Sequence, residues 1–247
     1  VSTMAASAVA DYIAVNIIGL RPVFDFDVEH RIPLRLYWAV VLLGVILGIL
    51  GVLYNKLLDK MQDFFDRFDS KFISIGIMLM ISFLMMFIYP IVLGSGNDLV
   101  KVISDGKFTL IALAILLVAK LFFSTGSFGT GTPGGIFLPL LVIGAITGGL
   151  YSTFLSTAFG VEEYYIKAFV IIAMAGFFSA IVRAPITGVI LITEMTGNFM
   201  TLLSLVSASL VAYVVADLLG GEPVYDQLMH RRQRKKVESG SGTPDHD

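Results

Sequence analysis

The chain has 247 residues, of which 56% are hydrophobic and only 15% charged, with a mean hydropathy of +0.86 and a net charge of −2. Uncharged runs longer than the roughly 20 residues needed to cross a bilayer mark a polytopic membrane protein, and the charge balance signals no nucleic-acid or soluble partner. The absence of cysteine excludes disulfides, thiolate chemistry and cysteine-based metal sites, and His30, His230 and His246 stand far apart in polar segments, so no metal or cofactor is expected.

The first residue is Val1, and the opening residues show neither a positively charged leader nor a cleavage-site pattern, so the sequence is expected to begin inside a larger protein. Residues 1–20, rich in Ala and Ser, predict a helix suited to close contact in a membrane. Residues 21–35 carry two prolines with Asp25, Asp27, Glu29 and His30 and read as a polar surface loop. A second helix is predicted over 36–55, where Gly44 and Gly48 form a weakly informative GxxxG spacing. Its pattern then turns amphipathic through Lys56, Asp59, Lys60, Asp63, Asp66, Arg67 and Lys71, so the helix runs out beyond the bilayer before a turn. Residues 72–93 predict a spanning helix whose methionines are packing filler, ended by Pro90 and the polar run Gly94-Ser95-Gly96-Asn97-Asp98. A short helical piece over 99–104 and a turn at 105–107 lead to a helix over 108–124. Lys120 lies deep in it; an intramembrane lysine is a functional candidate by default, or a structural residue that snorkels to the headgroups.

From Leu121 to Val161 no side chain but tyrosine is ionisable, so this region lies at membrane depth. Yet Gly129-Thr130-Gly131-Thr132-Pro133-Gly134-Gly135-Ile136-Phe137-Leu138-Pro139 puts four glycines and two prolines in its middle, and proline lacks an N–H and clashes with a preceding helical turn. In hydrocarbon a broken backbone survives only where it is buried in protein or lines a cavity. Helices are predicted again over 137–159, loosened by Gly144, Gly148 and Gly149, then over 168–181, 186–195 and 200–219, punctuated by Arg183-Ala184-Pro185, Gly197-Asn198 and Gly220-Gly221-Glu222-Pro223. The fold class is therefore all-α integral membrane, with about nine or ten unequal, partly broken helices, a pattern of transporters and channels. We place the membrane domain at 1–229 and a basic, partly disordered tail at 230–247. His230-Arg231-Arg232-Gln233-Arg234-Lys235-Lys236 puts that tail in the cytoplasm by the positive-inside rule, with the acidic 25–29 loop outside.

A helix that starts inside the membrane leaves its first N–H groups unpaired, and its dipole adds partial positive charge there. Gly135, Ile136, Phe137 and Leu138 supply such an anion site without a cation, which suits an ion that must leave as well as enter. The alternative is an ordinary Gly/Pro kink packed against its neighbours.

At these residues the chain resembles the CLC family of chloride channels and proton-coupled chloride exchangers, whose GxFxP motif stands here as Gly135-Ile136-Phe137-Leu138-Pro139. Two further segments agree in order and spacing: Arg183-Ala184-Pro185-Ile186-Thr187-Gly188 leading to Glu194-Met195-Thr196-Gly197-Asn198, and Gly220-Gly221-Glu222-Pro223-Val224-Tyr225. The resemblance implies a non-enzymatic chloride pathway in which the amides of Ile136 and Phe137 contact a central anion and Phe137 with Leu138 helps to form an outer site. It implies that Tyr225 points its phenolic O–H at the same central anion; without the family, Tyr225 reads as an interfacial belt residue. Arg183 and Glu194 read as structural residues near helix ends. The match covers the second half of the family's inverted-repeat membrane domain. The serine-bearing anion motif and the gating and proton-accepting glutamates belong to the first half, which this sequence lacks; Gly126-Ser127-Phe128-Gly129-Thr130-Gly131 is only the lead-in to the GxFxP segment. Expected partners are chloride, protons, the bilayer, the missing amino-terminal half and a second copy in a homodimer. A transporter of another anion such as fluoride, and a non-conducting scaffold, are the competing readings.

Overall fold

The computed structural model describes residues 2–19, 22–24, 28, 30–68, 70–94, 96–106, 108–132 and 134–238; Asp25, Asp27 and Glu29 of the acidic loop, Pro133 of the break and the tail after 238 lie outside them. Among the described residues every regular element is helical: α1 (Ser2–Ile18), α2 (Tyr37–Phe65), α3 (Lys71–Ile88), α4 (Asn97–Ser104), α5 (Leu110–Gly129), α6 (Phe137–Phe159), α7 (Ile166–Val182), α8 (Pro185–Thr196), α9 (Leu202–Leu218) and α10 (Val224–Glu238). Five helical stretches are long and apolar enough to cross a membrane, while α8 and α9 are apolar but shorter.

The architecture is built around α7. Its sequence is apolar all round, the pattern of a helix with no solvent face, and residues 168–181 are buried without a gap. Against it pack α6, α9, α2 and α8. The contacts are close because small residues meet backbone. A Cβ on Gly144 would come 2.8 Å from the Ala173 carbonyl oxygen and one on Gly148 2.6 Å from that of Phe169, both on α7. The Gly44/Gly48 pair of α2 does the same to α9, at 3.0 Å from the Ala208 oxygen and 2.9 Å from that of Ala212. In a membrane such close approach supplies the packing that holds helices together, since lipid gives no hydrophobic drive between them.

Three boundaries differ from the sequence expectation. The helix expected to end at 124 continues to Gly129, because its small polar residues serve the helix: Thr125 donates to the Leu121 carbonyl at 2.8 Å, and Tyr54 and Ser124 share a hydrogen bond across α2 and α5. The helix expected to reach 93 stops at Ile88, where Tyr89 leaves helical geometry and Pro90 opens a short 3-10 turn over Pro90–Val92. Finally, the basic residues 230–236 lie within a helix, α10.

Candidate anion site at the helix break

Helix α5 ends at Gly129, where a Cβ would meet the backbone of Met61 at 3.1 Å, so the last turn is pressed onto α2. Thr130 folds its hydroxyl back onto the Ser127 carbonyl at 2.8 Å. Gly131 then takes φ +73°, a conformation open to glycine and costly for side chains. Residues 134–136 have no regular structure, and α6 begins at Phe137.

At this start no side chain caps the helix, and the first intrahelical bond runs from the Leu140 N–H to the Ile136 oxygen at 3.3 Å. The N–H groups of Ile136, Phe137 and Leu138 therefore have no intrahelical partner, and Pro139 has no N–H to offer. Gly134 and Gly135 are exposed, and a Cβ at Gly135 would meet nothing within 4 Å, so the approach to these donors is open. Phe137 turns its ring edge-on to Phe178 of α7, 5.5 Å between centroids. The arrangement presents partial positive charge, with no lysine or arginine in the segment.

Tyr225 occupies the first turn of α10, just after the break at 220–223; its side chain is 52% exposed, and among the described residues nothing hydrogen-bonds to its hydroxyl. Two buried donors hold the chain leading into it. Asn55 of α2 donates to the Glu222 carbonyl at 2.8 Å and to that of Ile181 at 3.5 Å. Arg183, itself left-handed at φ 64°, donates to the Gly221 carbonyl at 2.7 Å and to those of Tyr213 and Ala216. Phe137 thus meets α7 at Phe178, and Asn55 joins the Ile181 carbonyl near the end of α7 to the Glu222 carbonyl just before α10. Tyr225 and residues 135–138 share no hydrogen bond or ring contact among the described residues.

The other singled-out residues sort by partner. Arg183 closes the carboxyl end of α9, where a cation also faces the negative pole of the helix dipole, and it pairs with Asp217 at 3.4 Å. The side chain of Glu194 is exposed. Lys120 is 2% exposed and does not snorkel: its Nζ donates to the carbonyls of Val92 at 2.7 Å and Gly94 at 3.0 Å, closing the turn after α3. Sequence reading gave Asn55 no role and took Arg231 only as part of the basic tail. Arg231 of α10 binds Asp59 and Asp63 of α2 and Asp66 at its carboxyl cap, at 2.8, 2.6 and 2.7 Å. Burial works against its charge, but hydrogen bonds with Asp66 and Asp63 outweigh that and hold its pKa above the ordinary arginine value. The available signal was helical spacing: Asn55, Asp59, Asp63 and Asp66 fall within about 80° on one face of α2.

Residues 1–217 match the family model described as voltage gated chloride channel. The chain belongs to the voltage gated chloride channel family. Curated members similar to it include the H(+)/Cl(-) exchange transporter ClcA of Vibrio campbellii, 39% identical over 151 residues that make up 60% of this chain and 32% of the relative. ClcA of Yersinia pestis bv. Antiqua is 34% identical over 158 residues, 63% of this chain and 33% of the relative. The chain therefore spans about a third of the length of the curated family members it matches. Among solved structures, a slow cyanobacterial Cl-/H+ antiporter superposes with a TM-score of 0.82 at 29% identity, over 91% of this chain and 54% of that one. A CLC-type fluoride/proton antiporter shares the family fold, with a TM-score of 0.67 at 19% identity over 81% of this chain and 49% of that one.

Proposed function

We propose that this chain forms part of a transmembrane chloride pathway, channel or proton-coupled exchanger, in which the amino terminus of α6 and the hydroxyl of Tyr225 replace water around the anion. The observation that carries this reading is the uncapped start of α6, with three N–H groups lacking an intrahelical partner beside an open, glycine-lined approach. Its charge is partial and fixed in the backbone, so an anion is attracted without the deep trap that a buried arginine would set. The phenol of Tyr225 adds an O–H donor. Membership of the family, and its similarity to the H(+)/Cl(-) exchange transporters ClcA, support chloride over other anions.

On this reading the α10 end of the bundle is cytoplasmic, the functional unit is a homodimer, and the amino-terminal half of the pathway comes from residues outside this sequence. The test is chloride binding and flux in lipid vesicles carrying the assembled protein, with fluoride as competitor. Tyr225→Phe removes one donor and is expected to weaken chloride binding or relax selectivity by roughly tenfold; Phe137→Ala removes the ring that seats the start of α6 on α7 and acts in the same direction. Unchanged chloride binding in both variants would falsify the site, and stronger competition by fluoride would reassign the anion.

A further inference from the structure

We propose that Arg231, with Asp59, Asp63 and Asp66, forms an ionic latch between α10 and α2 that positions Tyr225; this rests on the anion-site reading given above. The geometry has two tethers. At the start of α10 the tether is neutral and buried, Asn55 holding the Glu222 carbonyl at 2.8 Å. Seven residues beyond Val224, on the same helical face, the tether is ionic and partly exposed. One guanidinium there meets three carboxylates, its Nε and Nη2 both on Asp66 and its other contacts on Asp59 and Asp63.

Between the tethers, Val224 is fully buried and Leu228 packs on the core. The amide oxygens of Gln62 on α2 and Gln227 on α10 are buried with no hydrogen-bond partner among the described residues, so neither oxygen reinforces the contact. With one end fixed by Asn55, the latch sets the angle at which α10 leaves the bundle. Tyr225 lies in its first turn, about 9 Å along the helix axis from Arg231, and turns with it. Arg231 is thus a positioning residue that never touches the anion.

The arginine stays charged at any working pH: its pKa is held above the ordinary arginine value, so its contribution is present throughout the range below that value. Ionic strength is the lever instead, since the three aspartates are 46%, 63% and 38% exposed and exposed pairs are screened by salt.

The experiment is a chloride titration of the assembled protein in lipid, for the parent, Arg231→Gln, Arg231→Lys, the charge-reversed pair Arg231→Asp with Asp63→Arg, and Tyr225→Phe. Each is repeated at low and high concentrations of a non-halide salt. We expect roughly fivefold weaker binding in Arg231→Gln, partial recovery in Arg231→Lys, recovery in the reversed pair, and a salt dependence in the parent that Arg231→Gln loses. A Tyr225→Phe variant that weakens binding beside an unaffected Arg231→Gln overturns the latch and leaves the anion site standing. Unaffected binding in both overturns the two together. Should Arg231→Gln fail to assemble, a parent titration indifferent to the non-halide salt overturns the latch on its own.

Discussion

Lys120 shows how a charge can sit in an apolar helix without being a transport residue. Its ammonium is surrounded by carbonyl oxygens rather than carboxylates, and those carbonyls, Val92 and Gly94, belong to a turn that ran out of helical partners at Pro90. Lys120→Met keeps the side-chain volume and strips the donor, leaving both oxygens unpaired. We expect a loss of about 1–3 kcal/mol of stability with chloride affinity unchanged, read as a lower thermal midpoint alongside an unaltered binding curve. A lost binding curve at full stability would assign Lys120 to the pathway instead. Sequence alone left this residue between two roles because the carbonyls it serves lie 26 and 28 positions away, in a turn whose backbone direction no residue pattern states.

At the scale of the element, the start of α6 was legible to the residue: Phe137 opens the helix, because Pro139 within the first turn costs no intrahelical bond. The end of α5 was not. Ser124, Thr125, Gly126 and Ser127 have loop composition, yet they stay helical: the Thr125 hydroxyl donates to the Leu121 carbonyl one turn back, Ser124 shares a hydrogen bond with Tyr54 of α2, and Gly126 leaves room for Met78 of α3. Helix α10 was illegible for a different reason, its charge being answered by aspartates more than 160 residues earlier in the chain. The α6/α7 contact makes the sharpest prediction here. Gly148→Val places atoms where the Phe169 oxygen and the Val170 Cα already stand, so the helices must part, and overpacking of this kind costs about 1–3 kcal/mol or more. Gly160→Ala, at a left-handed position with open space around it, serves as the comparison: it strains one residue and leaves the interface intact, so a smaller shift in thermal midpoint is expected.

For the whole molecule, the family fold was readable because three separate segments agree in order, and one of them carries the break on which the proposed anion site rests. Tyr225 needed the resemblance, since an exposed tyrosine at a helix start has no pattern of its own. The pathway also predicts a linkage. An anion that binds only the assembled state stabilises it by RT ln(1 + [L]/Kd), or about 2.7 kcal/mol at a hundredfold excess over Kd. Thermal unfolding of the assembled protein in detergent should therefore shift upward with chloride, and by much less for Tyr225→Phe; a midpoint indifferent to chloride in the parent would count against any anion site. The same measurement on this 247-residue chain alone should show little shift, because α6 and α10 would then supply only part of the coordination.

Asn55 and Lys120 spend their donors on backbone carbonyls, of Ile181 and Glu222 and of Val92 and Gly94, and Arg183, beside its ion pair with Asp217, holds those of Tyr213, Ala216 and Gly221. A carbonyl is present whatever side chain its residue carries. Across homologues these three positions should therefore stay fixed in type while the residues they hold drift freely, leaving no covariation between donor and acceptor sites. Coupled substitution should instead mark Arg231 and the aspartates of α2, where both partners are side chains and a change in one can be answered by the other.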